Sequence, residues 1–402
     1  MTLPNAQLGT IADVQGGLQV TRKRAVNPVE VPYLRVANVY RDHLDLEKIK
    51  NMRVTETELQ RVRLRQGDIL VVEGHGNPHE IGRTAVWDGS IPTCVHQNHL
   101  IRVRVRNGSA DPTYLSAFLN SPVGRRQLFR AGKTTSGLNT INVSNVRELE
   151  VPLPPLEEQR RIAAILDKAN AIRRKRQQAI QLADELLRSV FLDMFGDPLT
   201  NPRGWPVTTL GALTHEMRYG TSSKCSVEPV RSGLPILRIP NILGGEVLWD
   251  DLKYCALDSK EESKLKLVDG DLLFVRSNGN PAYIARCAVF GGDRNAAFAS
   301  YLIRVRLNQH APVLARFVRR LFSLPSYRAV VVREARTTAG NYNISTKGLG
   351  RLRVYTPPVA DQQSFAAVEE RLGSVRAHLV DALAQTDQLF DALVQRAFRG
   401  EL

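Results

Sequence analysis

The segment Asn280-Pro281-Ala282-Tyr283 resembles the (D/N)-P-P-(Y/F) signature, with Ala282 in place of the second proline, by which an amide and an aromatic ring hold a base flipped out of a duplex. That chemistry needs both groups. At an offset of 203 residues Asn77-Pro78 stands in the same place but continues His79-Glu80, with no ring to stack on. A turn built twice accounts for both, and no glycine-rich loop that would hold a methyl donor or dinucleotide accompanies either. Cys94, His96 and His99 have the spacing of metal ligands, as do His75 and His79 at i, i+4. The second stretch offers Phe298, Ala299 and Tyr301 instead, which argues against a metal shared by both; buried or solvated histidines are expected, with no metal and no cofactor. Neither GxxxxGK[ST] nor GxSxG occurs, so the chain carries no signature for nucleotide or ester hydrolysis.

What remains is binding chemistry. Fifty-five Lys and Arg against forty Asp and Glu leave a net charge of +15, which points to a polyanionic partner such as nucleic acid. Arg22-Lys23-Arg24, close to Gly16-Gly17, and the stretch from Tyr219 through Ser222 to Lys224 are basic or polar segments at matching places. His75 and Asn77, and Arg276, Asn278 and Asn280, stand at Gly-Asn-Pro loops after a strand. Arginine pairs with guanine and asparagine with adenine in the major groove; the same residues also make ordinary turns. Lys133-Thr134-Thr135-Ser136, and Arg336-Thr337-Thr338 with Asn341 and Tyr342, supply the hydroxyls and cation that suit phosphate contacts. Arg173-Arg174-Lys175-Arg176 reads as a solvated helix face, or as a contact to DNA phosphates or to an acidic partner.

The elements that position these residues come twice. PYLRVANV from Pro32 matches PILRIPNI from Pro235, QGDILVVEGHGNP from Gln66 matches DGDLLFVRSNGNP from Asp269, and GLNTINVSNVRELEVPLPP from Gly137 matches GNYNISTKGLGRLRVYTPP from Gly340, all at offset 203. Apolar runs rich in β-branched residues predict strands, and a helix is predicted over 112–129 and over 312–332. Each copy then reaches a Pro-Pro pair and a long segment of helical periodicity. From Leu156 to Phe195 there is no Pro or Gly, and Ile165, Ala169, Ile172, Arg176, Ala179, Ala183, Leu186 and Val190 recur at coiled-coil spacing. Val368, Leu372, Val375, Leu379, Ala382, Thr386, Leu389 and Leu393 repeat the pattern. At about 1.5 Å per residue the first helix is roughly 60 Å long, and an antiparallel pair is the simplest way for the two to bury their stripes. Near their ends QLADELLRSVF from Gln181 matches QLFDALVQRAF from Gln388 at offset 207, one helical turn more. Ile162, Leu166, Ile180 and Leu187 form a second apolar stripe, expected to be exposed and to meet a partner. The helical segments carry a combined charge of −1, which leaves +6 on residues 1–155 and +10 on 196–358.

The Pro-Pro-then-Glu-Gln helix start of LPPLEEQ from Leu153, which the second copy varies as PPVADQQ, the repeated hairpins and the terminal LFDALVQRAFRGEL resemble the DNA-specificity subunit of type I restriction-modification systems, over essentially the whole chain. The resemblance implies an α+β fold: two similar mixed α/β target-recognition domains in pseudo-twofold arrangement, separated by a long antiparallel two-helix coiled coil. The corresponding boundaries are 1–155, 156–196, 197–358 and 359–402. Pro154, Pro155, Glu158 and Gln159 carry the helix start, with Pro357, Pro358, Asp361 and Gln362 as second-copy equivalents. The family role implied is a non-catalytic one: reading a split site on double-stranded DNA and scaffolding two methyltransferase subunits, with restriction-translocase subunits joining through the complex. A freestanding regulator of a split site would show the same basic globules. MTLPNAQLGT has no leader pattern, no run approaches eighteen apolar residues and the four cysteines form no CxxC, so a cytoplasmic chain is expected.

Overall fold

The computed structural model describes residues 4–77, 80–106, 108–135, 138–229, 233–292, 294–338 and 340–402. The chain divides into two compact units, Met1–Gln178 with Val380–Leu402, and Ala179–Leu379. Each holds one copy of the repeat, the start of one long helix and the end of the other.

In the first unit a four-stranded antiparallel sheet runs in the order Ala12–Gly16, Leu100–Val105, Ile69–Val72, Thr84–Val86. Ile69–Val72 is buried on both faces, which is why it reads as an unbroken apolar run. Ile69 and Val71 face Tyr114, Leu115 and Phe118; Leu70 and Val72 join Leu34, Trp87 and Leu100 on the other side. A second sheet, Val95–His96, Val29–Leu34, Lys50–Val54, has one parallel and one antiparallel pairing. The second unit repeats both. Thr214–Tyr219, Leu302–Leu307, Leu272–Val275 and Cys287–Val289 form the four-stranded sheet, and Lys253–Cys255, Leu234–Leu237 and Ala297–Phe298 the three-stranded one.

The Gly-Asp of each matched QGD/DGD turn has a physical reason. Asp68 is buried and takes both branches of the Arg104 guanidinium at 2.7 and 2.6 Å, while accepting from the Arg65 amide at 2.7 Å. Asp271 does the same with Arg306, at 2.8 Å twice, and with the Val268 amide. A buried carboxylate needs such partners, so the turn and the Leu-Ile-Arg-Val-Arg strand recur together.

The helix predicted over 112–129 is two helices, Pro112–Asn120 and Pro122–Ala131. Ser121 between them is extended, since the residue before a proline is pushed out of the helical region, and its hydroxyl caps the second helix. Its counterpart is Ala315–Ser323 and Pro325–Glu334, beginning three residues later than expected.

The long helices are Leu156–Phe195 and Val359–Ala397. Gln159 is buried at the start of the first: its amide donates to the Pro154 carbonyl at 2.8 Å and its Oε1 accepts from the Asp111 amide at 2.9 Å. Gln362 donates to Pro357 and Pro312 at 2.8 and 2.9 Å and accepts from Leu314 at 2.8 Å. Asp111 and Leu314 cap the globular helices, so each glutamine bolts a long helix to the element beside it. Aromatic rings grip the opposite helix end. Phe398 lies 5.4 and 5.1 Å from Tyr114 and Phe118 in the first unit, and Phe191 lies 5.5 and 5.2 Å from Phe317 and Phe365 in the second.

Within each unit the helices run antiparallel. Arg173 pairs with Asp387 at 2.6 Å and lies 4.4 Å from the Phe390 ring, and Arg176 donates to the Ala382 carbonyl and to Thr386. In the second unit Arg376 pairs with Asp184 at 2.9 Å.

The apolar stripes differ from expectation. Ile162 and Leu166, expected on an open partner face, are buried in the globular core of the first unit, because the first turns of the helix lie on the globule. Leu187 packs against the core of the second unit and Ile180 is half-buried. Ile172 and Leu186, expected on the seam, are exposed.

Replacing Gln159 with Met keeps its volume but strands the Asp111 amide and the Pro154 carbonyl. A loss of about 1–3 kcal/mol is expected, read as a lower urea midpoint of the first unit; an unchanged midpoint would show that the clamp carries no stability.

Candidate nucleic-acid interface

Two residues beyond each buried central strand the chain forms a short extra strand, and in both copies this strand founds a second small sheet. In the first copy Lys133–Thr135 pairs with Leu138–Thr140, which pairs with Gly74–His75. In the second, Arg336–Thr338 pairs with Asn341–Asn343, which pairs with Ser277–Asn278. The backbone that carries the sheet is the same in both: the Ile141 amide donates to Glu73 at 2.8 Å, and the Ile344 amide to Arg276 at 2.9 Å.

Residues scattered over sixty positions of sequence therefore meet. One cross-strand row is Thr134, Asn139, His75; its counterpart is Thr337, Tyr342, Asn278. Lys133 and Arg336 occupy equal positions in the register, opposite Thr140 and Asn343. Asn139, Asn343 and Ser277 were not singled out from the sequence. The signal was present in the matched GLNTIN and GNYNIS segments, whose polar residues line up when the copies are superposed. Ser136 lies outside the described residues, as does His79.

Around this sheet the two copies diverge. Glu73 and Arg276 are equivalent, and burial raises the Glu73 carboxyl above the usual range. The Arg276 guanidinium lies 4.4 Å from the Tyr219 ring centroid and donates to the Ser300 carbonyl at 3.2 Å, while the Tyr219 hydroxyl accepts from the Thr346 amide at 3.0 Å. Arg276 thus lies along the protein beside the sheet.

The Asn-Pro loops are turns. Asn278 Oδ1 accepts from the Asn280 amide at 2.8 Å, and Asn280 Oδ1 caps the short helix Pro281–Tyr283 by accepting from Ala282 at 2.9 Å. Tyr283 packs under Arg286 at 5.0 Å. His75 Nδ1 accepts from the Asn77 amide at 3.0 Å. The segment that suggested a base pocket is a capped turn with its ring beside an arginine.

The basic segments leave from a second repeated place. A Cβ on Gly17 would strike the carbonyl oxygens of His96 and Gln97, and one on Gly220 those of Phe298 and Ala299, so glycine alone lets the chain cross there. Beyond the crossing Arg22 and Lys23 are exposed, whereas Arg24 pairs with Glu58 at 2.9 Å and donates to the Gln19 carbonyl. Ser222 and Lys224 are exposed in the second copy.

The candidate metal residues do not form a site: among the described residues no group of three His, Cys, Asp or Glu side chains could hold a metal. His96 is a core histidine. Its Nδ1 lies 3.3 Å from the Val62 carbonyl, and burial, helped by nearby Arg102, pushes its pKa down to about 4. Cys94 is buried and its thiol pushed up to about 12.

The fold thus presents one small three-stranded sheet twice, beside segments that carry exposed cations. Residues 5–182 match the family model described as the type I restriction modification DNA specificity domain. The specificity subunit of the type I restriction enzyme EcoKI from Escherichia coli K12 is 26% identical over 99% of this chain and 88% of its own. The StySPI specificity subunit of Salmonella potsdam is 22% identical over the same shares. In solved structures the fold recurs in a chain of a type I R-M system, with a TM-score of 0.56 at 17% identity over the whole of both chains. It recurs again in the S subunit from M. genitalium, with a TM-score of 0.54 at 12% identity over 99% of both. The chain is thus similar to the type I restriction specificity subunits, in residues 5–182 by the family model and along nearly its whole length at 22–26% identity. Among the described residues no helix is long and apolar enough to cross a membrane.

His96 makes a test of the core that separates the copies. Its folded pKa lies below the ordinary value of 6.5, so the unfolded chain binds the extra proton first and stability falls as pH drops from about 6.5 toward 4. Between pH 7 and 5 the loss is about 2 kcal/mol. His96→Phe, which installs the residue found at Phe298, should remove that loss; an unchanged acid sensitivity of the first unit would contradict the assignment.

Proposed function

We propose that the chain reads a split site on double-stranded DNA, with residues 1–155 addressing one half and residues 197–358 the other. The observation that carries this is the doubled small sheet: one backbone frame, built twice, bearing His75 and Asn139 in one copy and Asn278 and Tyr342 in the other. A shared frame gives both copies the same approach to a groove, and unlike side chains give them different base edges to read. Lys133, Arg336 and the exposed cations of the crossing segments, Arg22, Lys23 and Lys224, supply phosphate contacts that position without specifying. The charge of +6 and +10 on the two globular parts serves the same end.

The partner chemistry is a pair of methyltransferase subunits, one for each unit, with restriction-translocase subunits joining through the complex. The supporting feature is again a repeat. Ile172 and Leu389 in the first unit correspond, at offsets 203 and 207, to Val375 and Leu182 in the second. All four aliphatic side chains are 48–60% exposed on the long helices. Two equal partners need two equal surfaces, and exposed aliphatic residues kept in both copies are suited to that role.

DNA selected from a random pool by the assembled complex should yield two blocks separated by a fixed gap. Exchange of residues 1–155 for those of a relative should change one block alone. Affinity should fall with salt with a slope of about −0.9 for each phosphate neutralised; a flat response, or a change in both blocks, would overturn the reading. Ile172→Glu with Leu389→Glu should reduce the methyltransferase retained on copurification from two copies to one, and full retention would remove this surface from the account.

A further inference from the structure

Three of the four cysteines are buried, and two of the four face each other. Ser226 and Tyr254 exchange backbone hydrogen bonds at 2.9 and 2.8 Å in an antiparallel bridge. Cys225 and Cys255 are the next pair along, the position where an antiparallel ladder has no hydrogen bond and side chains stand closest. The Cys255 Sγ donates to the carbonyl of Lys224, the residue before Cys225, at 3.7 Å, so the two thiols stand side by side. Cys225 is partly exposed and accessible to a reagent; Cys255 lies beneath it, against the core of the second unit. The first copy has Arg22 and Met52 at the equivalent positions, so the arrangement belongs to the second unit alone.

We propose that Cys225 and Cys255 form a reversible disulfide by exchange with an oxidised low-molecular-weight thiol of the glutathione class. The Cys225 thiolate attacks one sulfur of the reagent, its S–S bond breaks, and one reduced thiol leaves. Cys255 then gives up its proton to solvent and attacks the Cys225 sulfur, and the second reduced thiol leaves with a proton taken from solvent. Two protein S–H bonds and one reagent S–S bond become one protein S–S bond and two reagent S–H bonds. The new bond ties the segment carrying Ser222 and Lys224 to the strand Lys253–Cys255, so oxidation fixes the crossing segment of one copy and leaves the other untouched.

The remaining cysteines serve as internal controls. Burial pushes the thiols of Cys94 and Cys287 up to about 12, and Cys255 up to about 11 with the neighbouring Cys225 contributing. Cys225 is the one thiol of the four that is not buried, so reaction should begin there.

The full chain is equilibrated with mixtures of reduced and oxidised glutathione, quenched in acid, digested without reduction and mapped by mass spectrometry. The expected product has lost the mass of two hydrogen atoms, contains a Cys225–Cys255 cross-linked peptide, and returns to the starting mass with dithiothreitol. Amide exchange over residues 221–226 should slow in the oxidised chain. Cys225→Ser, a change at a partly exposed position, should abolish the cross-link and leave Cys255 unmodified under the same conditions. Accumulation of a stable glutathione adduct on Cys225, or four free thiols in the most oxidising mixture, would overturn the proposal.

Discussion

Two buried glutamine side chains set the terms for everything else in this molecule. Gln159 and Gln362 each satisfy a carbonyl at the Pro-Pro bend and an amide at the cap of a globular helix. A side chain with both a donor and an acceptor is needed, because the bend leaves a carbonyl and the cap leaves an N–H in a place that water does not reach. The consequence is geometric. A long helix bolted at its first turn cannot swivel against its globule, so the direction in which it leaves is fixed by the fold of the globule itself. The aromatic grip of Phe398 and Phe191 at the opposite ends gives each unit a second fixed point.

With the helices fixed, the reading frame follows from one buried strand. Ile69–Val72 and Leu272–Val275 are covered on both faces, and the chain continues from them directly into the small three-stranded sheet. Asp68 with Arg104, and Asp271 with Arg306, pin the start of the same strand. The sheet bearing the candidate DNA-contacting residues is therefore an extension of a fully buried strand in each unit. Its side chains are free to differ because few of them hold the frame together. Glu73 and Arg276 show this, since an acid and a base occupy one backbone position with the same backbone hydrogen bonds.

Much of this was legible before any coordinates. The offset of 203 residues gave the doubling, unbroken apolar runs gave the buried strands, and the Pro-Pro pairs marked the helix starts. The break at Ser121 was legible too, in Pro122, but helical periodicity on both sides masked it. What could not be read was which surface covers an apolar stripe. Ile162 and Leu166 have the spacing of a free helix face, and only the close approach of the globule decides that they are core. The small sheet was hidden for a related reason: its three strands are two or three residues long, below the length at which alternation is visible, and come from segments about sixty residues apart. Matching positions in the two copies nonetheless pointed to the same places in the fold, the strands Gly74–His75 and Ser277–Asn278.

The central claim is that each small sheet reads its own half of one site. Replacing Asn278 and Tyr342 together with alanine, in the assembled complex, and determining the preferred DNA by selection from a random pool tests it most directly. The account predicts relaxed sequence preference confined to one half, with the other half and the gap between them unchanged. Equal relaxation of both halves, or a preference identical to that of the parent, would contradict it.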